Sequence, residues 1–549
     1  MSVDADLGDL LAKVLPRGVE LTVRHVSSTP IPSPALFAAA PGQDTEPTFC
    51  ENHFLTISID RAGDNGGEII VFGMEVMVYN TAHLTTIFVS KADSTGLLHL
   101  LELPRKVSVL RLVSTTFLSF LTRTRQRPGV RLVVSLFARA QNQYLFSGSI
   151  ENPNKHVLDD RGLIKWWCRT LDPILREQEP ESVFSETKRL GQTAEAATAS
   201  ATAYLIVPGC DKFETRTFFP TTAKSDPQDC PRWLNSYPLH QLCPDPKAPP
   251  RCLVPRLPDD PKTRFLIDLD DELPEPAEGE NSPPNNGQWR SVRSLDQFWE
   301  MMSFRQECSA GRLVGFLWLV VNPPGLLNSI SMASQTRSLA EAGQVNKGAT
   351  GSKDASNHDE QLASSSLDAP IDASVSFPNT VSASEQQRQQ TNTTSPFGHH
   401  PVGSSAELRS KGQAADANPF YWPEAGRGHV VLSDGDYKKM MNSFLDSFYD
   451  EKEAVASTKT YVNHVACLAD QLLWGKRIVG NSTPETSSTQ SLQPSNVLDR
   501  GLVRKRKKPD AEAGKTAAAE GEQVSSRSQD TSPGVNMLNA SLIRKKKKT

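Results

Sequence analysis

Between residues 328 and 418 the chain has almost nothing with which to build a core, and this limits where folding can happen. Ser, Gln, Asn, Thr and Ala dominate that stretch, and Phe377 and Phe397 are its only aromatics. Ordering a backbone costs roughly 1–2 kcal/mol per residue, more than so little apolar surface can offset. A disordered insertion over 326–418 is therefore expected, separating a main folded part (1–325) from a shorter returning part (419–480).

Upstream of the insertion, apolar clusters recur from Asp9 to Val321 between Pro and Gly breaks. Residues 54–59, 68–79, 85–90 and 131–137 alternate or run apolar, as strands do. Helices are expected over 108–122, 162–176 and 294–305, the last capped by Ser294. Downstream, Ser433 followed by Asp436 reads as the N-cap of a helix carrying Tyr437, Met440, Met441, Phe444, Leu445 and Phe448. A second helix is expected over 459–474. Two amphipathic helices cannot hide their faces from each other completely, so both should dock on the main part. No aromatic follows Trp474, and 481–549 is expected to be a disordered tail. The succession of strands and helices gives an α/β (α+β) class.

The formal net charge of −4 hides two basic runs in the tail, Val503-Arg-Lys-Arg-Lys-Lys-Pro509 and Ile543-Arg-Lys-Lys-Lys-Lys-Thr549. They read as nuclear localisation signals or as an arm for a histone chaperone or DNA; a solvated tail without a reader is the plainer alternative. Eight scattered cysteines with no C-x-x-C pair argue against a zinc ribbon, and no metal is expected. No run of 18 apolar residues occurs, so no membrane span is expected.

Four segments could carry chemistry. Ile87-Phe-Val-Ser-Lys-Ala-Asp-Ser-Thr-Gly96 is a strand ending in small and polar residues. Its end could offer backbone N–H groups to an acyl or phosphate oxygen, or be an ordinary turn. Arg105-Lys-Val-Ser108 precedes a helix, whose N-terminus could hold a pyrophosphate or be merely capped. From Phe137 to Trp167 run Gln143-Tyr-Leu-Phe146, Lys155-His156 and Lys165-Trp-Trp167. Trp167 falls in line with Ile164, Leu171 and Leu175 and belongs to a buried face, while Trp166 lies about 100° around the helix. Such a pair is core or the wall of a tunnel. In Pro258-Asp-Asp-Pro-Lys-Thr-Arg-Phe265, adjacent carboxylates meet two cations. They could receive an amine or help remove its proton, or form an exposed Pro-Asp turn.

In this order, the segments at 87–96, 136–167, 258–265 and 297–307 resemble the fungal regulator-of-Ty-transposition family of histone H3 acetyltransferases. The resemblance covers about 14–321 and, more weakly, 434–474. It implies a single large domain with a central mixed β-sheet surrounded by helices, similar to the acetyltransferase domain of the CREB-binding protein. It also implies acetyl transfer from acetyl-CoA to histone H3, at lysine 56 and sometimes at tail lysines, in the nucleus. The implied partners are H3–H4 and an H3–H4 chaperone of the anti-silencing type.

Implied catalytic residues are Asp260, Asp259, Trp167, Asp93 and Tyr144, with Lys262 an autoacetylated buried lysine. Implied acetyl-CoA contacts are Phe88, Ser90, Lys91, Ala92, Asp93, Ser94, Lys106, Val107, Ser108, Val109, Leu110, Phe137, Gln141, Gln143, His156, Val157, Leu158, Trp166 and Arg264. Budding-yeast members use a Lys-rich insertion with a NAP-family chaperone; Asp93 and Phe137 stand too close here to hold it. The alternatives are a catalytically inactive chromatin scaffold and a lysine acyltransferase with a non-histone substrate.

Overall fold

A computed structural model describes residues 6–62, 66–101, 103, 107–181, 198–243, 245–273, 287–308, 311–324, 326 and 418–483. The stretch 327–417, expected to be a disordered insertion, and both basic runs lie outside the described residues.

The strands are β1 (Glu20–Ser28), β2 (Ile31–Ser33), β3 (Thr48–Arg61), β4 (Gly67–Asn80), β5 (Leu84–Ser94) and β6 (Arg131–Arg139). They continue with β7 (Ser200–Ile206), β8 (Trp233–Leu234), β9 (Val314–Asn322), β10 (Val430–Leu432) and β11 (Lys476–Val479). All join one mixed sheet in the order β10-β1-β3-β4-β5-β6-β9-β7-β8, with β11 also on β1 and β2 on β3. Among the described residues, the helices of eight residues or more are α1 (Leu7–Val14), α2 (Val109–Arg125), α3 (Asp160–Arg176), α4 (Pro261–Asp270), α5 (Leu295–Met302), α6 (Asp434–Leu445) and α7 (Ala454–Ala469). This is the α/β class with a central mixed sheet surrounded by helices.

Alternation along the strands decides which helices cover which face. Leu132, Val134, Leu317 and Leu319 face a core shared with α1, α2 and α3. Their neighbours Val133, Phe316, Trp318 and Val320 face Phe265, Leu266, Phe298 and Met302 on α4 and α5. At the other end of the sheet Val26, Phe54 and Ile70 meet Met440, Phe444 and Tyr461 of α6 and α7.

Ser294 and Ser433 cap α5 and α6 as the sequence suggests, accepting from the N–H groups of Gln297 and Asp436. The second C-terminal helix is displaced from 459–474. It ends at Ala469, where Asp470 turns left-handed at φ 50°, and Leu472 and Leu473 are 91% and 89% exposed. The segment 258–265 is not only a turn, because α4 starts inside it. Asp260 caps that helix, its Oδ1 accepting from the Lys262 N–H at 2.9 Å, and Pro261 occupies the first helical position, where a missing N–H costs nothing.

Candidate active site

β5 and β6 run parallel from Leu84↔Arg131 to Val89↔Leu136 and then part. Beyond that point β5 stays with β4 as far as Ser94, while β6 stays with β9 as far as Arg139. A bulge helps the separation: Glu75 pairs with Lys91 and Val76 with Val89, leaving Ser90 as the extra residue. The fork opens into a cleft of about 1010 Å³, counting its open mouth.

One side of the cleft is the outer end of β5, from Val89 to Ser94; the other includes Leu136, Phe137, Arg139, Ala140 and Gln141. Ser108 and Leu110 at the start of α2 line it too, as do His156, Val157, Leu158, Leu163, Trp166 and Trp167 on and before α3. Ser108 makes no side-chain cap bond, so the first N–H groups of α2 have no side-chain cap, a favourable end for an anion. The start of α3 differs, since Asp159 accepts from Gly162 there. Trp166 and Trp167 meet edge to face, centroids 4.9 Å apart. Trp167 is buried in line with Ile164, Leu171 and Leu175, and Trp166 is half-buried in the wall.

Asp93 holds the next segment in place. Its Oδ2 accepts from the backbone N–H groups of Tyr144 (2.7 Å), Leu145 (3.1 Å) and Phe146 (3.4 Å). Its Oδ1 accepts from Lys155 Nζ at 3.0 Å, and Lys155 also donates to Ser149 Oγ at 2.6 Å. One carboxylate thus fixes both ends of the 144–155 loop. Burial pushes the Lys155 ammonium down from its usual range against the pull of Asp93. Tyr144 donates its hydroxyl to the Arg139 carbonyl at 2.5 Å, and burial pushes its pKa well up, so its phenol is a neutral wall. Gly96, at φ 81°, lets the loop lie close: a Cβ there would stand 2.5 Å from Lys155 Cα.

The 258–265 segment lies outside the cleft lining, and Lys91 links the two. Lys91 Nζ, in the cleft, is 3.1 Å from Asp259 Oδ2 and 3.0 Å from Glu75 Oε2. Burial would lower Lys91, but the two carboxylates outweigh it and hold its ammonium above the usual range. Asp259 is exposed and strained at φ 57°; Asp260 beside it is fully buried and 2.5 Å from Lys262 Nζ. Lys262 also lies 4.2 Å from the centre of the Phe316 ring, and burial pushes its ammonium down despite Asp260.

Of the residues singled out from sequence, the cleft gathers Ser90, Lys91, Ala92, Asp93, Ser94, Ser108, Leu110, Phe137, Gln141, Tyr144, His156, Val157, Leu158, Trp166 and Trp167. Phe88 and Val109 are buried in the core instead, 0% and 1% exposed. Val107 and Gln143 are half-buried off the lining, and Lys106 lies outside the described residues. Arg264 points away, with a side chain 60% exposed and 3.9 Å from Glu307. Sequence reading passed over Lys155, Arg139 and Glu75 as site residues. Lys155 at least had a signal, as the neighbour of His156 in a segment already marked.

The cleft suits a long, thin ligand with an anionic end, held between apolar walls, uncapped helix N–H groups and strand-edge peptides. A sequence model of the histone acetyltransferase KAT11-type domain matches residues 7–130 and 126–464. The chain is 55% identical to the histone acetyltransferase rtt109 of Aspergillus flavus, over 100% of this chain and 99% of that protein. It is 31% identical to the histone acetyltransferase rtt109 of Schizosaccharomyces pombe, over 57% of this chain and 70% of the relative. A crystal structure of Rtt109 from Aspergillus fumigatus matches with a TM-score of 0.68 at 56% identity, covering 87% of this chain and 99% of that one.

Proposed function

The chain belongs to the KAT11-type family of histone acetyltransferases, and from that premise we propose that it transfers acetyl from acetyl-CoA to lysine 56 of histone H3, with tail lysines as further targets. The histone arrives as H3–H4 with a chaperone of the anti-silencing type, in the nucleus, serving chromatin assembly and the DNA damage response. The observation that carries the reading is the β5–β6 fork, with its uncapped α2 N-terminus and the loop clamped by Asp93.

Acetyl-CoA fits the residues present. Phosphate oxygens suit the N–H groups at Ser108–Leu110, and the long arm suits the wall of Leu136, Phe137, Leu158, Leu163 and Trp166. The half-buried edge of β5 at Ala92–Asp93, which β6 no longer pairs, suits the acyl end. Acetyl-CoA supplies the activated acetyl group; the protein's share is to place a neutral amine against it, where positioning is the larger gain.

Asp259, exposed beside the cleft-lining Lys91, receives the incoming ammonium. Asp260 can join only when Lys262 releases it, since the two are paired in the core. Lys262 is the autoacetylation site of this scheme: burial favours its neutral amine, and loss of its charge frees Asp260. Trp167 and Tyr144 shape the wall, Asp93 positions Tyr144 through its backbone, and Arg264 supports the outside of α4.

The test is to incubate the protein with labelled acetyl-CoA and H3–H4, with and without an anti-silencing-type chaperone, and to map the label by mass spectrometry. Label on H3 lysine 56, increased by the chaperone, is expected. Label confined to non-histone proteins, or absent, would sink the reading.

A further inference from the structure

We infer that Glu75 is a positioning residue for acetyl transfer, acting through Lys91. Resting on the acetyltransferase reading of the cleft, the inference concerns a carboxylate behind its wall. Glu75 is 8% exposed and does not line the cleft. Its Oε2 accepts from two residues that do: Ser90 Oγ at 3.1 Å and Lys91 Nζ at 3.0 Å.

Both contacts fall at the irregularity that opens the fork. The register shifts between Glu75 and Val76, and Ser90 is the residue left over. Glu75 therefore pins the bulge through the Ser90 hydroxyl. Through Lys91 it reaches further, because the same ammonium stands 3.1 Å from Asp259, at the head of the 258–265 segment. A lysine side chain alone has several rotatable bonds and would leave that link loose. A buried anion behind it fixes where the ammonium sits, and so fixes the distance between the cleft wall and the carboxylate that receives the substrate amine. Small displacements at such a junction are costly in rate.

The full chain is assayed on H3–H4 as wild type, Glu75→Gln, Lys91→Met, the double variant and Asp259→Asn. Each single change is expected to lower kcat roughly tenfold to a hundredfold, with KM for acetyl-CoA unchanged in Glu75→Gln and Asp259→Asn, whose residues do not line the cleft. The double variant should be no slower than the slower single, since one residue acts through the other. Wild-type kcat in Glu75→Gln, or losses that multiply in the double variant, would overturn the inference. Should Glu75→Gln fail to fold, the exposed Asp259 decides: Asp259→Asn at wild-type kcat overturns it as well. A wild-type chain that moves no acetyl to H3–H4 overturns the acetyltransferase reading itself; an active wild type beside an equally active Glu75→Gln overturns only this inference.

Discussion

Lys262 and Asp260 meet in the core as an ion pair, with side chains 1% and 0% exposed. Breaking a buried pair from one side costs about 3–5 kcal/mol, while removing both charges is often close to neutral. Asp260→Asn should therefore lower stability by up to about that much, and less to the extent that Lys262 sheds its proton. Adding Lys262→Met should restore part of the loss, which urea denaturation of the singles and the double would measure. An Asp260→Asn protein as stable as wild type would mean that the two groups are not paired. The same geometry predicts that Asp260→Asn reduces acetyl transfer without abolishing it, because positioning at the cleft is left in place. The family resemblance implies Asp260 as the carboxylate near the substrate lysine, with Asp259 beside it, whereas the structure buries Asp260 against Lys262 and leaves Asp259 exposed. What separates them is a left-handed backbone at Asp259 and the helix that Asp260 caps, and both depend on what α4 packs against.

The loop over residues 144–155, which carries a short 3-10 turn at Ser149–Glu151, is held by Asp93, Lys155 and the missing side chain at Gly96. Gly96→Ala forces a left-handed non-glycine residue against Lys155 Cα, at a cost of about 1–3 kcal/mol. Stability should fall by that amount and KM for acetyl-CoA should rise; if neither moves, the loop does not depend on close approach at Gly96. Local signals were enough for the capped helices α5 and α6 and for the longer alternating strands. They were not enough for β9, whose nine residues are all buried and so show no period of two. The α4 helix was hidden by the two prolines at its start, and Leu472-Leu473 read as a helix face although both are exposed. The fork itself could not be read from sequence, because it arises from register between strands far apart in the chain. Asp93 and Lys155 are likewise 62 positions apart, and only the fold brings them together.

Across the whole molecule, the returning segment after the insertion is tied to the main part by a buried polar cluster. Arg125 donates to Glu51 Oε1 at 2.5 Å and to the Ala425 carbonyl at 2.7 Å, and His25 Nε2 lies 3.0 Å from His53 Nδ1. Burial, with His53, His429 and Arg125 nearby, pushes His25 well below its usual range. Burial lowers His53 as well, although Glu51 opposes it, and it lowers His429. The folded state thus keeps these rings neutral, while the unfolded chain takes up protons below about pH 6.5. Their stabilising share is complete above that pH and is lost as the pH falls toward the folded values. The melting temperature should drop from about pH 7 to about pH 5, less steeply in His25→Gln; a rise on acidification would contradict the arrangement. The central claim, that the β5–β6 fork is the acetyl-CoA site of a histone acetyltransferase, is tested most directly by amide hydrogen exchange with and without acetyl-CoA. Protection is expected along 89–94, 108–110, 136–144 and 155–167; protection elsewhere, with none along the fork, would contradict it.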